Sequence, residues 1–163
     1  MNGNVLVRLF EHNQWANLQI IQACASLSDE QLDAEPRPVT KGTIRDTLVH
    51  LVSAQRGYLA TLTLPVEERP KGPVEYADLE ESLRVSGEGL IALARDEGGL
   101  PEGSLRTNSG NLTEPWVVML QVINHAGEHR EQIKSMLSDL GITPPDLDGW
   151  DYGVASGGLV VVS

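Results

Sequence analysis

The chain has 163 residues, with 12 Lys and Arg against 23 Asp and Glu and a formal charge of −11. The length fits one domain over 1–163 with a sizeable core, and the charge argues against DNA, RNA or an anionic membrane as main partner, since phosphate binding needs a basic face. Aromatics make up only 4 % and there is one cysteine, Cys24, so the core must be aliphatic, and an intrachain disulfide and a cysteine zinc knuckle are both excluded.

Four helical stretches are expected in order. The first runs from Val5 to Leu27, with Val5, Leu9, Ala16, Ile20, Ala23 and Leu27 on one stripe. Ser28 and Asp29 begin a short turn, and Pro36 and Pro38 stop the helix from continuing. The second runs from Ile44 to Leu62, capped by Thr43 with Asp46 in a capping-box position. Pro65 and Pro70 close it.

The third runs from Tyr76 to Ala94, interrupted by Gly87 and Gly89, each costing about 1 kcal/mol against alanine in a helix. Residues 96–112, rich in Gly, Ser and Asn, form a loop with room for a small hairpin. The fourth helix runs from Glu114 to Leu140, with Thr113 as cap, Pro115 in the first turn and Gly141 at the end. The remaining tail reads as non-helical, with Val160–Val162 as a short strand or ordered tail. The expected class is all-α: a four-helix bundle with long connections and an irregular C-terminal tail. The second and third loops are too long for the tightest up-down-up-down arrangement. The N-terminus does not read as a signal peptide, and no run approaches the roughly 18 apolar residues of a membrane span. The expected location is the cytoplasm.

Histidine is the donor worth following. His125 and His129 lie four apart on the fourth helix, about 40° apart around its axis. Val118, Val122, Ile133, Met136 and Leu140 share their arc, so both imidazoles face the interior. Two such imidazoles on adjacent turns are an ordinary divalent-metal pair, and also an ordinary pair of packed core histidines. His50, at the flank of the second helix's apolar arc, is the natural third ligand. Its helical neighbours Thr47, Ala54 and Gly57 leave room beside it. Three neutral imidazoles leave a position for water or substrate, as catalytic sites do and structural zinc sites do not. HAGEH also fits H-x-x-E-H, with Glu128 as general base; nothing else in the chain resembles a peptidase, and a solvated Glu128 is the plainer reading.

HNQWANLQII, TIRDTLVHLVSAQRGYL and INHAGEHREQI together resemble the DinB/YfiT-like family of metal-binding helical bundles, in order and over nearly the whole chain. The resemblance implies a metal site at His50, His125 and His129. It implies an antiparallel bundle with left-handed twist, often a homodimer, holding zinc or nickel with open coordination. It also implies thiol-dependent S-transferase chemistry in some members, with bacillithiol, mycothiol or glutathione. The expected function is therefore a divalent-metal-dependent transferase acting on a small molecule, with a metal-bound small thiol as nucleophile. Two alternatives stand beside it: a metal-dependent hydrolase using metal-bound water, and a non-catalytic small-molecule-binding bundle.

Other residues have competing roles. His12 is a structural histidine, a fourth ligand or a proton shuttle. Trp15 and Asn17 serve packing and a helix-end or interhelix hydrogen bond, and Trp116 serves the core or a dimer contact. Trp150 and Tyr152 form either a lid over the cleft or an anchor for the tail. Arg130 pairs with outer-face acids, Arg56 is a candidate anion binder, and Cys24 is an inert core thiol.

Overall fold

The computed structural model describes residues 4–36, 40–96 and 99–162. It is mostly helical, as expected. The helices are α1 (Val5–Cys24), α2 (Asp29–Leu32), α3 (Ile44–Thr63), α4 (Leu79–Ala94), α5 (Pro115–Asp139) and α6 (Gly149–Ala155). A two-stranded antiparallel ribbon joins β1 (Leu105–Arg106) to β2 (Leu112–Thr113) in the connection where a hairpin was expected.

Local chemistry sets most boundaries. Thr43 and Asp46 make the reciprocal capping box that starts α3. Ser28 and Gln31 make a second one, which turns the expected short turn into α2. Gly141, at φ +74°, ends α5 as Ile142 N–H donates back to Leu137 C=O. The start of α5 differs from expectation: Glu114 occupies the cap position without a side-chain bond, and Thr113 belongs to β2. The tail differs too. Asp148 accepts from the N–H groups of Trp150 and Asp151 and starts α6, where no helix was expected. Val160, Val161 and Val162 are exposed and lie in no strand. Pro38 lies outside the described residues.

Two apolar clusters fix the direction of each long helix. One holds Ile20 and Cys24 from α1, Ile44 and Leu48 from α3, Leu79 and Leu83 from α4, and Ile133 and Leu137 from α5. The other holds Phe10, Leu62, Leu90 and Val118 from the same four helices. So α1 and α5 run from the second cluster to the first, and α3 and α4 run the opposite way. α1 packs on α4 and α5, and α3 packs on the same two. The neighbours α1/α4 and α3/α5 are antiparallel; α1/α5 and α3/α4 are parallel, which departs from the all-antiparallel arrangement.

The connections follow from this. α1 to α3 and α4 to α5 pass between helices on opposite corners. α3 to α4 joins parallel neighbours, so residues 64–78 must travel back along the helices. That strap is tied to α3 where Val74 N–H donates to Ser53 Oγ (2.8 Å) and Arg56 Nη2 donates to Gly72 C=O (2.6 Å). Gly87 and Gly89 sit where side chains of neighbouring helices press on α4. A Cβ at Gly87 would fall on the Gln14 side chain, and one at Gly89 on Leu59. Their cost in helix propensity is the condition for that approach.

A layer of buried polar groups ties the four helices together. Arg130 Nη1 donates to Asn13 Oδ1 (2.8 Å) and Asn17 Oδ1 (2.6 Å). Asn17 Nδ2 donates to Gln55 Oε1 (3.0 Å), and Gln55 Nε2 donates to Ser86 Oγ (3.0 Å) and Leu83 C=O (3.2 Å). α1, α3, α4 and α5 each contribute a member. Arg130 is 7 % exposed, so it does not pair with outer-face acids as expected. Burial lowers its pKa to about 10, which leaves it charged at neutral pH. Replacing Asn17 with Leu should lower the unfolding free energy by about 2–3 kcal/mol, because a buried charged donor loses an acceptor. Urea denaturation checks this; an unchanged midpoint would show that the layer does not hold the helices.

Candidate metal centre

His50 lies in the first half of α3, and His125 and His129 lie mid-way along α5, on the face turned toward α3. The Nε2 atoms of His50 and His125 are 3.0 Å apart, and those of His129 and His125 are 3.1 Å apart. One ligand atom from each residue lies within 4.8 Å of the other two. His50 meets His129 edge-on at 86° and His125 meets His129 at 75°, while His50 and His125 are tilted by 56°, so the nitrogens converge without the rings stacking. Two imidazole nitrogens on one tetrahedral zinc would sit roughly 3.3 Å apart. The donor set and its spacing therefore fit a small divalent ion.

The electrostatics favour the neutral, ligating form. Burial pushes His125 down to about 4, helped by the neighbouring His129 and His50. His50 is lowered by burial first, then by His129 and Lys41. Both imidazoles keep their lone pairs at neutral pH, where protons do not compete with a metal. His129 Nδ1 lies 2.8 Å from Gln132 Oε1. A carbonyl oxygen only accepts, so Nδ1 carries the proton and Nε2 is left free toward the cluster.

A cleft of about 890 Å³ opens beside the histidines, within the range usual for small-molecule sites. His50 and His125 face it, and His129 lies behind them, 7 % exposed. Ala54 and Gly57 give the room that helical spacing suggested, while Thr47 turns inward and donates to Thr43 C=O. Tyr58 stands edge-on to His125, with ring centroids 5.6 Å apart. Burial raises its pKa above the usual phenol value, and Gln121 hydrogen-bonds to it. Thr107, Asn108 and Ser109 of the ribbon and Gly72 and Pro73 of the strap complete the wall.

The remaining sequence candidates fall elsewhere. Glu128 is exposed, accepts from Asn124 Nδ2 (3.0 Å) and does not line the cleft. His12 Nε2 bonds to Leu147 C=O (2.8 Å), and its ring packs with Trp15 and Tyr152. His12 is thus a structural histidine that pins the tail. Tyr152 is an anchor against α1 and no lid; Trp150 is 73 % exposed, and neither residue lines the cleft. Trp116 is 61 % exposed, which removes its core role. Cys24 is buried and pushed up to about 12 by burial, an inert thiol. Sequence reasoning assigned no site role to Gln132, Tyr58 or the ribbon and strap walls. Only Gln132 had a local signal, three residues after His129 on the same helix.

Replacing His125 with Ala should abolish stoichiometric zinc or nickel uptake with helicity unchanged. Replacing Gln132 with Leu should weaken uptake by roughly 10–100-fold, because the orienting acceptor is lost. Calorimetric titration of metal-free protein separates the two, and full uptake by the His125→Ala protein would remove the site.

Comparison with known proteins bears on the fold and the family. The sequence matches no curated protein. A solved structure of a candidate DinB family member from Exiguobacterium sibiricum 255-15 superposes with a TM-score of 0.67 at 21 % identity. The match covers 88 % of this chain and 95 % of that one, a likeness of fold. The profile of the DinB family matches residues 1–155. The chain belongs to the DinB family.

Proposed function

We propose that this chain is a divalent-metal-dependent enzyme of the S-transferase type, which joins a small thiol to an electrophilic small molecule. We read the four long helices as a four-helix bundle built around its metal centre. His50, His125 and His129 would hold zinc or nickel. When bound, the metal supplies a positive charge that stabilises a thiolate at neutral pH.

One observation carries the reading. Three imidazoles converge beside a cleft whose lining, among the described residues, holds no thiol and no free carboxylate. The chain's own cysteine is buried away from the cleft in the core. The one carboxylate in the cleft wall, Asp46, is taken up in the α3 cap, where Thr43 N–H donates to its Oδ2 (3.1 Å). Ser53 Oγ accepts from Val74 N–H. With neither a thiol nor a free carboxylate in its lining, the cleft is suited to a borrowed nucleophile that ionises without a base.

The chain's residues then have simple tasks. The mostly apolar wall from Val49, Ala54, Val117 and Val118 removes water from the electrophile's body. Tyr58 stays protonated next to His125 and can donate a hydrogen bond to a ligand atom that gains negative charge. Gln121 orients that phenol. Gln132 holds His129 in the ligating tautomer.

Stripping the metal with a chelator should abolish thiol conjugation to a reactive electrophile such as 1-chloro-2,4-dinitrobenzene while the protein stays folded, since its apolar clusters do not need the ion. Zinc or nickel should restore it. Undiminished turnover without added thiol would contradict the transferase reading and favour hydrolysis.

A further inference from the structure

A second cavity, of about 460 Å³, adjoins the histidine cleft, and the two share Ser53, Gly57, Gly72 and Asn108 in their walls. Its lining carries Arg56, Arg69 and Lys71 and not one carboxylate. In a chain with nearly twice as many acids as bases, that concentration of positive charge is unexpected. Elsewhere most described arginines meet acids: Arg8 and Arg95 meet Glu11, Arg45 meets Asp29 and Asp33, and Arg84 meets Glu81. Glu67 and Glu68 precede Arg69 in sequence but are exposed and lie outside the lining.

The three cations play different parts. Arg69 is 7 % exposed, and its guanidinium is filled by neutral acceptors: Leu64 C=O, Thr61 C=O, Arg106 C=O and Asn108 Oδ1. It fixes the strap to the ribbon and leaves its charge uncompensated in the cavity wall. Arg56 spends one bond on Gly72 C=O, and its Nε–H is buried with no partner. Lys71 is exposed at the rim. A guanidinium and an ammonium with donors to spare, backed by a buried positive charge, suit an oxyanion.

Position links this cavity to the metal centre. Arg56 follows His50 on α3 by about 9 Å of helix rise. Between the two cavities stands Gly57, where an added Cβ would meet nothing within 4 Å. We infer that the cavity of Arg56, Arg69 and Lys71 is a subsite for the carboxylate or phosphate end of an elongated ligand whose other end reaches the histidines. This deepens the proposed function, resting on it for the ligand's far end: the substrate or the thiol is an organic anion.

The test uses the full-length, metal-free protein with two probes, glutarate and inorganic phosphate, at low salt. Amide resonances of Gly57, Gly72 and Asn108 are followed by NMR. At least one probe should saturate, which assigns the anion as carboxylate or phosphate. Arg56→Gln and Lys71→Gln should each weaken binding by about tenfold, and Lys134→Gln, outside both linings, should leave it unchanged. No saturation by either probe, or wild-type affinity in both cation variants, would overturn the subsite. Lys71 is exposed, so its variant remains informative if Arg56→Gln unfolds. Metal uptake by the same sample is read separately, so loss of the subsite and loss of the metal site give different results.

Discussion

The buried charge of Arg130 is the constraint around which the rest is arranged. A guanidinium taken out of water without a carboxylate must be met by strong acceptors or the helices will not close. Asn13 and Asn17 supply them from α1, and Gln55 from α3 then holds Asn17 while bonding to α4. The result is a polar layer between two aliphatic clusters. It fixes the rotation of α5: with Arg130 turned to α1, the preceding residue His129, and His125 one turn earlier, are turned to α3. The same Gln55 holds α3 in the register that brings His50 opposite them.

The polar layer also explains how an open site is tolerated. Aliphatic clusters above and below carry the apolar burial, so the three histidines need not be filled in to stabilise the fold. Space beside them is made by small residues on α3 and by a strap that must run along that helix because α3 and α4 are parallel. The strap brings Gly72 and Pro73 to the cleft, and Arg69 fastens it to the ribbon that brings Asn108. The route of the chain between helices is thus what shapes the binding space.

Periodicity made the helices and the inward turn of His125 and His129 legible, because both are local. The glycines of α4 looked like weaknesses for the same reason; their purpose depends on Gln14 and Leu59 from other helices. Helical spacing turns Arg130 about 140° from His125, which reads as an outer face, and nothing nearby in sequence announces acceptors on α1. α6 was hidden by its glycines, although Asp148 was a readable cap. The cleft walls at 72–73 and 107–109 belong to connections, whose course is set by which helices they join and not by their own pattern.

The proposed function requires that three imidazoles hold one divalent metal and leave a position for a thiol. X-ray absorption at the metal edge of untagged, metal-loaded protein tests it most directly. The first shell should hold three imidazoles plus light solvent atoms and gain one sulfur on addition of a small thiol. A shell closed by a fourth protein donor, or one unchanged by thiol, would contradict it.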